Sequence, residues 1–481
     1  MTRKIHFVSL GCPKNRVDTE VMVGVALNGS SGARDFELTT EADEAEIIVV
    51  NTCGFIGEAK KESIDTIFEM AELKKLGTCK KLVVTGCLSQ RYPTELATQM
   101  PEVDHFLGSS DMLKLGKVLE GKADRMLVGN PADWVIRASD PRVITGNRAS
   151  AYVKIAEGCN RTCSFCTIPQ FRGKQRSRPV DDIVLEVEQL VAQGVREVNL
   201  ISQDTIAFGR DRREAAPGAD QQKEQRATLS ELVRRVADVK GISWVRVFYL
   251  YPEKIDDALI DLLANHPRVV PYVDRPLQHA SDAMLKLMRR GHGKDRQKRV
   301  VERMRASIPD LVFRTAFIVG HPGETDADFT ELCEFVEWAK FEHVGVFRYS
   351  DEETARSNEL DGKVKTVVAS NRWRKLMGLQ RKIARAKNRL MVGREIEVLV
   401  EGPSEEHDLV MMGRHRGQAP DVDGQVYLSG GEVLPGQMRK VRVTQASDYD
   451  LVADVVDESD TPAFTHPTKK RRVALKVLTP S

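Results

Sequence analysis

Three cysteines, Cys159, Cys163 and Cys166, form a Cys-x3-Cys-x2-Cys run. Thiolates so close together can hold three irons of a 4Fe–4S cubane and leave the fourth iron open to a small chelating ligand. Structural zinc is the competing reading, but a zinc site needs a fourth ligand to close its tetrahedron. No histidine lies between His105 and His266, and the trio has no further cysteine neighbour between Cys87 and Cys333. The spacing favours the cluster.

A second trio is spread along the chain. Cys12, Cys53 and Cys87 follow the apolar runs Ile5–Val8, Ile47–Val50 and Leu82–Thr85, each by two to four residues. In a parallel sheet the carboxyl ends of neighbouring strands open onto one crevice, so these thiols are expected to converge on a second cluster. Gly11, Gly54 and Gly86 stand beside them, as tight turns around a bulky group would require. The alternative is three unrelated core thiols. Cys79 precedes its strand, and Cys333 sits in the helical pattern Phe329–Val336. Both read as small buried hydrophobes.

The elements that must position these groups follow a strand–helix rhythm. In the first 125 residues, helical patterns at Val17–Leu27 and Glu58–Leu73 separate the three runs above, which indicates an α/β, doubly wound parallel sheet. From about 150, six strands are expected: Tyr152–Ile155, Glu197–Ile201, Val245–Tyr249, Val269–Val273, Val312–Val319 and His343–Tyr349. Helical patterns separate most of them, and six such units make an incomplete (βα)6 barrel. Two loops leave strand carboxyl ends, where barrels place their ligand-binding groups. They are Ser202-Gln203-Asp204-Thr205 and Gly320-His321-Pro322-Gly323-Glu324-Thr325, with Gln203, Gly320 and Glu324 as candidate cofactor contacts. Each is also compatible with an ordinary helix start capped by Asp204 or Thr325.

The chain has 481 residues and a mass of 53.8 kDa, enough for two to four domains. Mean hydropathy is −0.34, and no apolar run is long enough to span a membrane. Met1-Thr2-Arg3-Lys4 leads directly into Ile5–Val8, which argues against secretion. Eight cysteines in such a chain fit a reducing cytoplasm. The reading divides the chain into an amino-terminal domain (3–125), a linker (126–148), a core (149–389), a small all-β barrel (390–457) and a disordered basic tail (458–481). Within the core, the polar stretch Arg210–Arg226 reads as a surface loop. The basic helix at 365–389 reads as a solvated face.

Up to about residue 457 the chain resembles the radical methylthiotransferases, which join an amino-terminal cluster domain, a radical S-adenosylmethionine (SAM) core and a TRAM barrel. Within them it is similar to the branch that modifies the twelfth protein of the small ribosomal subunit. The strings that carry this are Ser9-Leu10-Gly11-Cys12-Pro13-Lys14-Asn15, Asn51-Thr52-Cys53-Gly54-Phe55-Ile56, Tyr249-Leu250-Tyr251-Pro252 and Pro276-Leu277-Gln278-His279-Ala280-Ser281-Asp282. The tRNA-modifying relatives typically carry Gln-Met-Asn after the first cysteine and Gln-Ser-Gly at 278–280.

The resemblance implies two 4Fe–4S clusters, with SAM bound at the open iron of the Cys159/Cys163/Cys166 cluster and Phe165 near its adenine. One SAM would methylate sulfur held at the other cluster. A second would yield the radical that takes hydrogen from the β-carbon of an aspartate. An unactivated C–H bond has no usefully acidic proton, so no general acid or base is assigned. The implied partners are the twelfth small-subunit ribosomal protein, free or in the ribosome, an electron donor such as flavodoxin or ferredoxin, and a sulfur donor, with no membrane. The rivals are methylthiolation of a tRNA adenosine and an RNA-binding iron–sulfur electron carrier. Residues 390–457 hold six basic and thirteen acidic side chains, an excess suited to docking a basic ribosomal protein rather than RNA.

Overall fold

The computed structural model describes every residue except 1, 29–35, 148, 214–227, 252–254, 405–409, 457–475 and 479–481. Pro252, most of the 210–226 loop and most of the basic tail therefore lie outside the described residues.

The amino-terminal strands are buried on both faces. Along Arg3–Leu10, Ile47–Thr52 and Lys81–Gly86, alternate residues enter two different cores. Ile5, Phe7, Ile47, Val49 and Val83 pack with Val17 and Val21 of the helix Pro13–Asn28. Val8, Val50, Leu82 and Val84 pack with Ile67 and Met70 of the helix Gly57–Leu76. This is why the strands read as continuous β-branched runs. The sheet order is Phe36–Leu38, Arg3–Leu10, Ile47–Thr52, Lys81–Gly86, His105–Leu107, Met126–Leu127, and every pairing is parallel. Part of the tail expected to be disordered departs from that reading. Lys476–Leu478 form a strand parallel to Val8–Leu10, on a stretch of that edge that Phe36–Leu38 leaves open.

The core forms six parallel strands, in two three-stranded sheets. Ser150–Lys154, Glu197–Ile201 and Trp244–Val247 make the first. Tyr272–Asp274, Val312–Val319 and His343–Arg348 make the second. The expected fourth strand, Val269–Val273, is shortened to Tyr272–Asp274, and the halves are joined without a continuous ladder, by a bridge from Val245 to Val269 and by the Leu250 N–H donating to Asp274 O at 2.9 Å. Pro271 interrupts that strand, having no N–H to give to a ladder. The barrel is otherwise the incomplete one expected, with its helices packed outside on Val153, Val198, Val245 and Phe313.

The carboxyl-terminal domain is a closed five-stranded barrel around Val398, Val426, Val441 and Leu451. Two of its strands, Met411–His415 and Leu451–Val455, were not expected from the sequence. Its segment 414–423 closes the gap in the core barrel. The Tyr152 hydroxyl donates to the Pro420 carbonyl and His343 Nε2 bonds Gly417 O, so both edge strands are held by one loop. Asp423 accepts from the Tyr272 hydroxyl at 2.6 Å. Arg414 reaches Glu197 at 2.5 Å, and Arg246 bonds the same carboxylate at 3.1 Å.

Burial alone would raise Glu197, but the guanidinium groups of Arg414 and Arg246 override it and hold the carboxyl below its ordinary value. This pairing therefore stabilises the fold at neutral pH and is lost as pH falls below the ordinary carboxylate range. Arg414→Met leaves one fully buried carboxylate half-neutralised. We expect a loss of about 3–5 kcal/mol, read as a lower urea midpoint at pH 7 and a smaller difference from the parent protein at acid pH.

The closure also draws on charged residues of this barrel. Arg414 and Arg416 turn inward on the core, as do Asp421 and Asp423. Among the described residues, exposed Arg394, Lys440 and Arg442 stand against exposed Glu395, Glu397, Asp421, Glu432 and Asp454, so this surface keeps an acidic excess.

Candidate metal centres

Cys12, Cys53 and Cys87 leave three neighbouring parallel strands at their carboxyl ends, and the structure brings them into one crevice. Space there is tight. A Cβ on Gly11 would meet Cys53 Cβ at 2.8 Å, and one on Gly54 would meet the Cys87 backbone at 2.9 Å. Asn15, at the start of the helix after Cys12, ties the strand ends together by donating to Leu10 O and Thr52 O at 3.0 and 2.9 Å. Ser63 Oγ binds the backbone of Cys53 on both sides, accepting from its N–H and donating to its carbonyl. Burial pushes the Cys53 thiol up, as do the two neighbouring thiols. Burial also raises Cys87, to about 11, against the pull of Arg172. Loading a cluster must therefore release protons.

The other trio follows the end of the core's first strand. Gly158 precedes Cys159 at φ +82°, and a Cβ there would collide with Lys174 O at 2.2 Å, so the turn requires glycine. The Cys159 N–H donates to Gly173 O and the Cys166 N–H to Cys163 O. Arg290 Nη1 donates to Cys163 Sγ at 3.3 Å. Burial raises Cys159 to about 11 and Cys166 to about 12. Among the described residues no three His, Cys, Asp or Glu side chains surround one point closely enough for a single ion. Thiolates of a cubane bind different irons and need not converge on one point, and the all-thiol donor sets fit such clusters.

A buried charge network spans the seam between the trios, and nothing in the sequence announced it. Arg172, on the short helix Ile168–Arg172 just beyond Cys166, reaches into the other domain. Its Nε and Nη2 donate to Cys87 Sγ at 3.3 and 3.2 Å, and its Nη1 meets Asp18 at 2.9 Å. Lys154 bridges Asp18 at 2.7 Å and Glu157 at 2.5 Å. Burial would raise Glu157, but Lys154 and Arg172 hold it down to about 2. Replacing Arg172 by Gln removes both N–H···S bonds and a positive charge. In protein carrying only the Cys12/Cys53/Cys87 cluster, we expect a reduction potential roughly 50–100 mV more negative. EPR-monitored titration would show this, and an unchanged potential would refute the contact.

The candidate cofactor contacts fall in distinct settings. Gln203 donates to Glu157 at 2.6 Å, which links the SAM-side loop to this network. Phe165 is half-buried inside the cysteine run. Gly320 has φ +82°, and a Cβ there would strike Ala369. The Glu324 carboxylate is engaged within the protein by the Gly320 N–H, by His279 at 3.3 Å and by Arg372 at 2.8 Å. It therefore fixes the Gly320 loop. Thr325 caps the helix Asp326–Ala339 in a capping box. Asp204 makes no side-chain cap, contrary to that alternative, and accepts from Arg161 at 2.7 Å. Cys79 and Cys333 are buried away from both trios in apolar clusters.

Comparison with known proteins supplies the family. The Radical SAM superfamily matches residues 153–336, the uncharacterized protein family UPF0004 matches 4–108, and the TRAM domain matches 392–456. A ribosomal protein uS12 methylthiotransferase RimO of Sorangium cellulosum (strain So ce56) is 67% identical, over 99% of this chain and 98% of the relative. The chain belongs to the RimO family. A second member, from Myxococcus xanthus (strain DK1622), is 47% identical over 96% of this chain and 94% of its own length. Among solved structures, the radical SAM methyltransferase TsrM from Kitasatospora setae aligns with a TM-score of 0.47 at 15% identity, covering 72% of this chain and 75% of that one.

Proposed function

We propose that this chain methylthiolates the β-carbon of an aspartate in ribosomal protein uS12. One observation carries the reading: two thiol trios from different domains face a single seam, with Arg172 spanning it. A group assembled at one trio then lies beside the carbon activated at the other. The RimO family has two 4Fe–4S clusters and S-adenosylmethionine, which supply when bound the methyl group, a site for sulfur and a radical able to take hydrogen from an unactivated carbon.

The chain's own residues do the holding. Cys12, Cys53 and Cys87 would ligate one cluster, and Cys159, Cys163 and Cys166 the other. Gln203 and the loop fixed at Gly320 by Glu324 would seat SAM, with Phe165 against its adenine. Lys154, Asp18, Glu157 and Arg172 keep the seam rigid and exclude water from it. Methylthiolation of a tRNA adenosine is not favoured, since the relatives matching nearly the whole chain are uS12 enzymes. The reaction also needs a one-electron donor such as flavodoxin or ferredoxin, and a sulfur donor. Among the described residues no helix is long and apolar enough to cross a membrane. A substrate made in the cytoplasm places the enzyme there.

Anaerobically reconstituted protein incubated with uS12, SAM, sulfide and a low-potential reductant should yield uS12 heavier by one methylthio substitution. Modified tRNA together with unmodified uS12 would overturn the reading.

A further inference from the structure

Buried cations at the seam nearly all face anions. Lys154 meets Asp18 and Glu157, and Arg172 meets Asp18, Glu157 and Cys87. Lys14 does not. Only 7% of it is exposed, yet among the described residues it makes no hydrogen bond or ion pair. Its ammonium rests 3.6 Å from the centroid of the Tyr249 ring. The strongest favourable charge on it is that of the Cys12 thiol, and the two carboxylates it feels more weakly, Glu157 and Asp274, are spent elsewhere. Glu157 is held by Lys154 and Gln203, and Asp274 by Arg314 at 3.1 Å and the Tyr249 N–H at 3.2 Å.

An ammonium so little hydrated and without a carboxylate partner is costly, and a cation–π contact offsets only part of that cost. The backbone bears a cost here too. Tyr249 has φ +57°, a left-handed conformation that a bulky residue rarely adopts and that persists at functional sites when its surroundings enforce it. Lys14 also follows Cys12 by two residues, while Tyr249 lies just beyond the carboxyl end of a core strand. This ammonium therefore stands where the two domains' chemistry meets, beside the Cys12 thiol.

We propose that Lys14 is a specificity-determining residue that receives the carboxylate of the side chain to be modified; this rests on the uS12 reading above. In an aspartate the β-carbon is one bond from the carboxylate. Clamping that group on Lys14 fixes the reacting carbon beside the Cys12 trio, and an asparagine or a nucleobase offers no charge to clamp.

The test uses full-length reconstituted enzyme, wild type, Lys14→Met and Lys14→Arg. The substrates are recombinant uS12 and the form with Asn at the modified aspartate, located by mass spectrometry. Iron content reports whether each variant loads its clusters, and binding of both uS12 forms to unreconstituted protein gives a readout independent of turnover. Wild type should prefer the Asp form by roughly 10–100-fold in KM and in affinity. Lys14→Met should lose that preference by weakening only on the Asp form, and Lys14→Arg should recover part of it. A Lys14→Met enzyme with the wild-type preference, or weakened equally on both forms, overturns the role of Lys14 and leaves the functional reading standing. Wild type that modifies tRNA and ignores uS12 overturns both.

Discussion

Replacing Cys159, Cys163 and Cys166 together by alanine should halve the iron of anaerobically reconstituted protein, from about eight to about four per chain. The expectation follows from how separately the trios are held. The core trio depends on the Gly158 turn, the Gly173 carbonyl and Arg290. The other depends on Asn15, Ser63 and three strand ends of the amino-terminal sheet. Removing one set of thiols leaves the supports of the second intact. The variant should also lose all reductive cleavage of SAM, a fall of several orders of magnitude, because that chemistry needs the open iron of the core cluster. Full iron content in this variant, or zinc alone in the native protein, would refute the two-cluster assignment.

The reciprocal substitution should separate the two halves of the reaction. With Cys12, Cys53 and Cys87 changed to alanine, SAM cleavage at the core cluster should persist while methylthio transfer to uS12 falls below detection. The seam limits how clean this separation can be. Arg172 loses the Cys87 thiol but keeps Asp18, Glu157 and Asn15, so its charge stays compensated and the core should remain folded. Cleavage lost with the fold intact, as judged by circular dichroism, would mean that the roles of the clusters are reversed.

Much of this architecture was legible because burial writes itself into composition. Ile47–Val50 and Leu82–Thr85 are buried on both faces, so they read as strands, and the observed elements extend them by only one or two residues at either end. The helix Lys294–Ser307 was missed because only Gln297, Val301 and Met304 face inward, too thin a stripe to show a helical period. Residues 126–148 read as a linker, and among the described residues they contain no helix or strand beyond Met126–Leu127. Yet Arg142 there is bound to Glu20 and Glu186, which a composition of Pro, Asp and Gly could not reveal.

The candidate site divides the same way. Its cysteines declared themselves by spacing and by position after strands. Their supports did not. Arg172 acts on Cys87 across 85 residues of sequence, and although Lys14 stands in a string that marks the branch, its burial against Tyr249 without a carboxylate partner is something a sequence cannot display. Nor could sequence charge show that Arg414, Asp421 and Asp423 of the carboxyl-terminal barrel are spent on closing the core. Deleting that barrel would strip Glu197 and Tyr272 of partners, so loss of substrate binding in such a truncation would report unfolding as readily as docking.

The central claim is that this chain modifies uS12. It is tested most directly by mass spectrometry of uS12 and of bulk tRNA from the parent strain and from one lacking this gene. The account predicts that uS12 loses a single methylthio group on an aspartate while tRNA methylthioadenosine is unchanged. Intact uS12 modification with loss of the tRNA nucleoside would contradict it.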